Sequence, residues 1–237
     1  FQSLMMLQPP RPNNAATYTQ TQQRMGPRHE GFVEIAKKGD IDLLLHGDSI
    51  TDWWVQGDAN KAMFDKYFGN IKTANFAIAG DTTQGVLWGL KNGEGQGYQP
   101  KAVMLMIGTN NTGQSTGPEI AEGVGAVVAE MRKDFPNAKI LLDHLGRPPA
   151  QEGPPYAASA PLMELTQYPN IYLKLTTYAL EQLHLGAASP ETFLPPVIKA
   201  FTPQRIAWGS NFPASPGHLR EHVEMVRKYI SFLSEED

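Results

Sequence analysis

Three short polar clusters in the sequence contain the residue types that acyl-ester hydrolysis requires. Ser49, Gly80 and Asn110 each stand among small or polar residues that follow an apolar run. A serine hydroxyl is a weak nucleophile, so it needs an exposed turn, a nearby base and donors for the charge that develops on the substrate oxygen. In this arrangement Ser49 is the candidate nucleophile. Its own amide, the Gly80 amide and the Asn110 carboxamide are the candidate oxyanion hole.

The runs that precede these clusters must be strands if the clusters are to meet. Each run is short, apolar and bounded by turn residues, which is typical of a buried strand, and helical spacing fills the segments between them. The predicted strands are 41–46, 73–79, 102–107 and 140–142, and the predicted helices are 29–38, 61–68, 83–90 and 119–135. Strands that alternate with helices predict an α/β fold with a parallel sheet, in which ligands bind at the carboxyl ends of the strands.

The composition narrows the range of partners. The chain has 237 residues, of which 41% are hydrophobic, a formal net charge of −4 and no cysteine. The negative net charge disfavours binding to nucleic acid. No apolar run reaches the roughly 20 residues that a membrane-spanning helix needs. The absence of cysteine excludes thiolate chemistry. We therefore expect a small-molecule ester substrate, no nucleic acid, no membrane and no cofactor. The compartment stays open between the cytoplasm and secretion after removal of a signal.

The composition and periodicity of the sequence change after residue 28. Residues 1–28 are rich in Pro, Asn, Thr and Gln without periodicity, which predicts an extended N-terminal arm. The regular pattern over residues 29–237 predicts a single α/β hydrolase domain. A further strand over 206–210 and an amphipathic helix over 219–233 predict an enlarged sheet or a homo-oligomer contact, because an edge strand and an apolar helix face must be covered.

Four ordered motifs within residues 29–140 resemble one enzyme family. They are Asp42–Asp52, Asn75–Thr83, Leu87–Gly93 and Ile107–Asn111. They resemble the SGNH (GDSL-type) serine hydrolases, and within these the platelet-activating-factor acetylhydrolase catalytic subunits and their bacterial relatives. The resemblance implies a three-layer α/β/α, flavodoxin-like fold and an acyl-serine mechanism, with the nucleophile and oxyanion hole named above.

The acid and base of that family come from a late Asp-x-x-His motif, which this sequence lacks. Residues 141–237 instead resemble the last strand units of amidohydrolase-type TIM barrels, in the stretches Leu142–Pro148, Tyr168–Leu175 and Arg205–Pro213. The two resemblances together imply a fusion, natural or made in cloning. In that fusion amidohydrolase-like strand and helix units complete the sheet begun by residues 29–140.

Glu181 and His184 keep the three-residue spacing of the missing motif. Positions three apart share one side of a helix, so the Glu181 carboxylate could orient the His184 imidazole toward Ser49. Such a pair can equally be accidental on a solvated helix face. His144 is the alternative base, because it follows the fourth strand at the carboxyl edge of the sheet. The base must be neutral, which predicts that activity falls as the pH drops through the ordinary imidazole pKa of about 6.5.

Metal chemistry has weak support in the sequence. His218 and His222 flank Glu221 with the spacing of inverted zinc proteases, but no separate third ligand is evident. In the amidohydrolase resemblance His144 holds a metal-ligand position, whereas Asn211 stands where the last-strand aspartate belongs, and a carboxamide is a weak ligand. We therefore predict no metal site.

The sequence as a whole predicts a serine esterase. It would hydrolyse short-chain acyl or aryl esters through an acyl-Ser49 intermediate, with His184 and Glu181 completing the catalytic triad. A catalytically inert or nearly inert fusion protein, which keeps the nucleophile but lacks a base, is the first alternative. A metal-dependent amidohydrolase or lactonase is the second.

Overall fold

Six parallel strands in one open sheet form the centre of the molecule. The computed structural model describes residues 15–211 and 215–233. Within that part of the chain the strand order is β2-β1-β3-β4-β5-β6, and each neighbouring pair is parallel. The strands are β1 Leu43–Gly47, β2 Thr73–Asn75, β3 Ala102–Met106, β4 Lys139–Leu142, β5 Ile171–Thr176 and β6 Ile206–Gly209. This order places the ends of β2, β1 and β3, where the polar clusters begin, side by side.

Helices cover the sheet and complete a three-layer α/β/α arrangement, as predicted. Their bounds are α1 Pro27–Lys38, α2 Ser49–Asp52, α3 Asp58–Phe68, α4 Thr83–Gly89, α5 Gly117–Asp134, α6 Ala160–Glu164, α7 Thr177–Gln182, α8 Pro190–Phe201 and α9 Leu219–Tyr229. Among the helices of residues 15–211 and 215–233, none combines the length and the apolar character that a membrane crossing needs.

The strands form where the sequence is continuously apolar because helices cover both faces of the sheet. Leu44, Val103, Ile140 and Leu173 occupy successive strands and are at most 1% exposed. The longest helix, α5, begins earlier than the predicted residue 119, because the Thr116 hydroxyl and the Glu119 carboxylate close a capping box at its start. The elements that carry the polar clusters are therefore fixed by burial and capping.

The C-terminal strands extend the same sheet. β5 pairs with β4 and β6 pairs with β5, both in parallel register. Residues 206–209 thus form an edge strand of an enlarged open sheet, which was one of the two expectations for this segment. The strands described in residues 15–211 form no closed barrel. The strands from residue 139 onward continue the same α/β/α sheet in parallel, with helices between them.

Part of the predicted N-terminal arm packs on the domain. Helix α1 begins at Pro27 rather than at residue 29. Ala15 and Arg24 are fully buried, and Thr19 donates its backbone N–H to the Gln84 carbonyl. Residues 15–28 therefore lie against the domain, while residues 1–14 of the predicted arm fall outside the described residues.

Gly47 allows β1 and β3 to approach closely at the end that carries the nucleophile. Its φ is 147°, and a Cβ at this position would lie 2.0 Å from the Met106 carbonyl oxygen. Because that oxygen accepts the Asp48 N–H at 3.1 Å, the two backbones cannot separate without losing this bond. A glycine is therefore required one residue before the turn of Ser49.

We predict that Gly47→Ala lowers the free energy of unfolding by about 3 kcal/mol, through steric overlap with the Met106 carbonyl and strain at positive φ. Gly125→Ala is the matched control, since nothing lies within 4 Å of a Cβ added in the middle of α5. That control is expected to stabilise the protein by about 0.5 to 1 kcal/mol. Urea unfolding of the three proteins measures both effects, and equal stabilities would contradict the steric argument.

Candidate active site

Ser49 begins α2 immediately after β1, on a turn that leaves its side chain partly exposed. Asp48 is the N-cap of this helix, and its carboxylate accepts the Ile50 N–H at 3.4 Å. Burial raises the pKa of Asp48 to about 6, while the Ile50 hydrogen bond and the positive charge of Arg147 oppose that rise. The residue beside the nucleophile thus takes up a proton at a higher pH than an ordinary aspartate does.

The helix of the nucleophile is connected to the loop that carries Gly80. Asp52, at the end of α2, accepts the Ala79 N–H at 2.8 Å. Arg28 from α1 holds the same carboxylate with two hydrogen bonds of 3.0 and 2.8 Å, and it donates a third to the Ala77 carbonyl at 2.9 Å. The Ser49 turn and the Gly80 loop are therefore fixed relative to each other by one buried carboxylate.

The Gly80 loop is in turn connected to the loop after β3. The Asn110 Nδ2 group donates to the Asp81 carbonyl at 2.8 Å, and the carboxamide of Asn110 remains exposed. The next residue, Asn111, is buried, and its Oδ1 accepts the Thr83 N–H at 3.1 Å. The three strand ends predicted to hold the nucleophile and the oxyanion donors thus form one hydrogen-bonded unit.

Arg24 holds this unit from the buried interior of the domain. The sequence analysis did not identify this residue. Its Nε donates to the Asp81 carboxylate at 2.7 Å, and its Nη2 donates to the Phe76 carbonyl at 3.1 Å. Its Nη1 pairs with Glu94, and all three charged side chains are fully buried. Arg24 lies in the segment interpreted as an arm, and a single arginine there has no spacing that could have revealed its role.

His46 lies on β1 within this same buried region. Its Nε2 is 3.7 Å from the Glu94 carboxylate, and His29 contacts the other oxygen of that carboxylate at 2.7 Å. Burial, together with the positive charge of Arg24, holds the pKa of His46 well below its usual range. His46 is therefore a neutral core residue, and it is not accessible as a base for Ser49.

His184 and Glu181 follow β5, which is three strands away from β1 in the sheet. The His184 Nε2 is 2.9 Å from the Tyr229 hydroxyl of α9. No ion pair joins the Glu181 carboxylate to this imidazole within the described part of the chain. Three strand spacings separate β5 from β1, which is roughly 14 Å across the sheet. The triad of Ser49, His184 and Glu181 stays a prediction, and the side chains in this structure are not in contact.

His144 follows β4 and lies one strand closer to Ser49. Its Nδ1 is 2.7 Å from the Thr176 hydroxyl, and the residue is 3% exposed. Burial lowers the pKa of His144 to about 4, and the charges of Arg147 and Lys174 act in the same direction against that of Asp143. A neutral imidazole is thus available near neutral pH at the carboxyl edge of the sheet.

Helix capping explains the His-x-x-Glu-His spacing of residues 218–222. The Glu221 carboxylate accepts the His218 backbone N–H at 2.7 Å, and the two residues form a capping box at the start of α9. In residues 15–211 and 215–233, no group of three or more His, Asp or Glu side chains is placed to hold a metal ion.

The fold and the linked loops define an α/β/α hydrolase of the serine acylhydrolase type. The model of the GDSL-like lipase/acylhydrolase family matches residues 45–184, more than half of the chain. The chain belongs to this family.

The relatives agree with that assignment. The chain is 34% identical over 172 residues to platelet-activating factor acetylhydrolase IB subunit alpha2 of Homo sapiens, a match that covers 73% of this chain and 70% of the relative. It is 37% identical over 117 residues to the subunit beta homolog of Drosophila melanogaster, which covers 49% and 50% of the two chains. The crystal structure of the esterase EstA from a Pseudoalteromonas species matches with a TM-score of 0.37 and 19% identity, over 56% of this chain and 76% of that one. The assignment therefore rests on the sequence matches.

The predicted amidohydrolase fragment over 141–237 is not supported. The family match continues through residue 184 and so crosses the expected joint at residue 141 without a break. Short stretches such as Leu142–Pro148 resembled barrel units because buried parallel strands in both folds have similar apolar composition.

We predict that Asp52→Ala lowers kcat/KM for an ester substrate by roughly tenfold to a hundredfold, because the Gly80 loop loses its anchor to the Ser49 helix. The free energy of unfolding should fall by about 2 kcal/mol, a moderate value because Arg28 is 39% exposed. Asp65→Ala is the control, since Asp65 pairs with Lys61 on the exposed surface of α3. It should cost less than about 1 kcal/mol and leave kcat/KM unchanged. Equal activity of the Asp52 and Asp65 variants would refute the anchoring role.

Proposed function

We propose that this protein is a serine esterase that hydrolyses short-chain acyl or aryl esters through an acyl-Ser49 intermediate. One observation carries the proposal. The Ser49 turn, the Gly80 loop and the Asn110 loop are joined through the Asp52 bond to Ala79 and the Asn110 bond to Asp81. A rigid set of donors around a nucleophile stabilises the developing oxyanion without reorganisation during the reaction.

Acetyl esters are the first choice of substrate. The two curated relatives reported above are named acetylhydrolases, and acetyl is a short acyl group. Trp53 and Trp54 follow the nucleophile and are 55% and 44% exposed, so they offer apolar surface to an aryl or alkyl leaving group. These features favour a small aryl acetate as the test substrate.

Two histidines are candidates for the base, and they are supported in different ways. His184 and Glu181 have the spacing of the family's acid and base motif. The His184 ring contacts Tyr229, however, and the segment after β5 would have to move toward Ser49. His144 follows β4, which is nearer to β1. Its Nδ1 atom contacts Thr176, so the Nε2 atom faces away from Thr176. If Nδ1 carries the proton, Nε2 is left as the acceptor for the Ser49 proton.

A folded but inactive protein is the second candidate. The observation that favours it is the lack of any hydrogen bond between Ser49 and a histidine ring within the described residues. Without a base in reach, the acylation step loses the contribution of general base catalysis, typically 10² to 10⁴-fold. A metal-dependent amidohydrolase or lactonase reaction has no support from the family match.

We predict that Ser49→Ala abolishes p-nitrophenyl acetate hydrolysis above background and that Asn110→Ala lowers kcat by roughly 10² to 10³-fold. Of His144→Ala and His184→Ala, the variant that removes the base should lose activity to a similar extent, and the other should retain it. His218→Ala, at the exposed start of α9, is the matched control for loss of an imidazole. Wild-type turnover no faster than that of Ser49→Ala would establish the inactive alternative.

The pH profile of kcat/KM should identify the base independently. If His144 accepts the Ser49 proton, activity stays level from about pH 8 down to about pH 5 and declines toward pH 4, because the lowered pKa keeps its imidazole neutral. A base with an ordinary imidazole pKa gives a decline centred near about pH 6.5 instead. Stopped assays over this range distinguish the two, and a rise in activity below pH 5 would exclude both bases.

A further inference from the structure

A cavity of about 180 Å³ lies next to the loop that carries Asn110. Gly108 and Thr112, which flank that loop, form one wall, and the residues after β4 and the α7 side chains Tyr178 and Gln182 form the others. Most of the lining is apolar. The cavity is therefore a place where part of a substrate bound at Ser49 could be taken out of water.

Arg147 brings a positive charge into this lining, and no salt bridge joins it to an acidic side chain within the described residues. The guanidinium makes no salt bridge and no side-chain hydrogen bond with any residue in 15–211 or 215–233. It is half-buried and lies over the Tyr178 ring at 5.0 Å. The nearest acidic residue of its own turn, Asp143, is occupied by Lys174 at 3.2 Å. A half-buried guanidinium whose hydrogen-bond donors are not used by the described residues can bind an anion from outside the chain.

The backbone around Arg147 adopts a strained conformation. His144, Leu145 and Arg147 have φ values of 52°, 57° and 52°, in the left-handed region that residues other than glycine rarely occupy. The Arg147 N–H donates to the His144 carbonyl at 3.0 Å and closes this turn. The backbone position from which the Arg147 side chain extends is thus set by the fold before any ligand arrives.

Arg147 also acts on the nucleophile's surroundings. Its charge opposes the rise in the pKa of Asp48, the residue next to Ser49. Gly108 lines the cavity together with Arg147, and it follows β3, which pairs with β1 as far as Gly47, two residues before Ser49. A group held by Arg147 and an ester carbonyl at Ser49 can therefore belong to the same small molecule.

We propose that this cavity binds a carboxylate at the far end of a short acyl chain, so that the preferred substrates are half-esters of short dicarboxylic acids. This inference rests on the proposed esterase function. The Arg147 guanidinium binds the carboxylate, and the apolar walls hold the methylene groups between it and the ester. The cavity is smaller than the roughly 300 Å³ at which pockets for drug-sized ligands begin, which favours a short acyl chain.

The experiment measures binding without turnover, by titration calorimetry with glutarate and with its uncharged diamide. Wild-type protein and Ser49→Ala should both bind glutarate at least roughly tenfold more tightly than the diamide. Arg147→Gln should lose that preference. Arg132→Gln is the matched control, because Arg132 also lies over a tyrosine ring, that of Tyr168, but outside the cavity. It should bind glutarate like the wild type, and circular dichroism checks that both arginine variants fold.

Each result decides the proposal separately from the esterase function. Loss of glutarate binding in Arg147→Gln alone supports it, also if p-nitrophenyl acetate hydrolysis fails. Equal binding of glutarate and diamide, or glutarate binding that survives in Arg147→Gln, overturns it while leaving acetate hydrolysis intact. Inorganic phosphate binding more tightly than glutarate, in a manner that depends on Arg147, would overturn the carboxylate assignment and indicate a phosphate group instead.

Discussion

The buried ion pair between Arg24 and Asp81 is the interaction on which the candidate site depends. Burying a charge is costly unless it is paired and hydrogen-bonded, and Arg24 satisfies this condition by contacting Asp81, Glu94 and the Phe76 carbonyl at once. Removing one member of such a group leaves an uncompensated charge in the core, which typically costs about 3 to 5 kcal/mol. The Gly80 loop therefore has a single well-defined position. That position, in turn, determines where Asn110 can donate its hydrogen bond.

The sheet and the three polar loops could be predicted from the sequence because both depend on local patterns. Apolar runs that end in small polar residues define strand ends, and parallel strands bring those ends to one edge. Ser49, Gly80 and Asn110 follow β1, β2 and β3 for this reason. Strand boundaries shifted by one or two residues at most, except that β2 ends at Asn75, where the chain leaves the sheet and the Asn75 side chain accepts the Ala77 N–H.

The base and the supporting charges could not be predicted in the same way. Whether His184 can reach Ser49 depends on the packing of α7 against α9 and on the Tyr229 contact, and sequence spacing alone says nothing about either. The spacing of Glu181 and His184 predicts one shared helix face, but α7 ends at Gln182 and His184 lies in the turn that follows. Arg24 is a comparable case, because its partners lie 57 and 70 residues away along the chain. Long-range contacts of this kind leave no periodic trace.

The left-handed turn at residues 144–147 has a consequence for how this protein can change. Each left-handed residue other than glycine costs of order 1 to 3 kcal/mol. Leu145 and His144 are buried, whereas Arg147 is half-buried, so glycine or asparagine relieves this strain with the least loss of packing at position 147. A substitution that raises thermal tolerance is thus easiest to find where the guanidinium would be lost. Selection for heat resistance alone would therefore tend to remove side chains that this edge of the sheet uses for chemistry. Stabilising substitutions should instead be sought in the helices on the opposite side of the molecule.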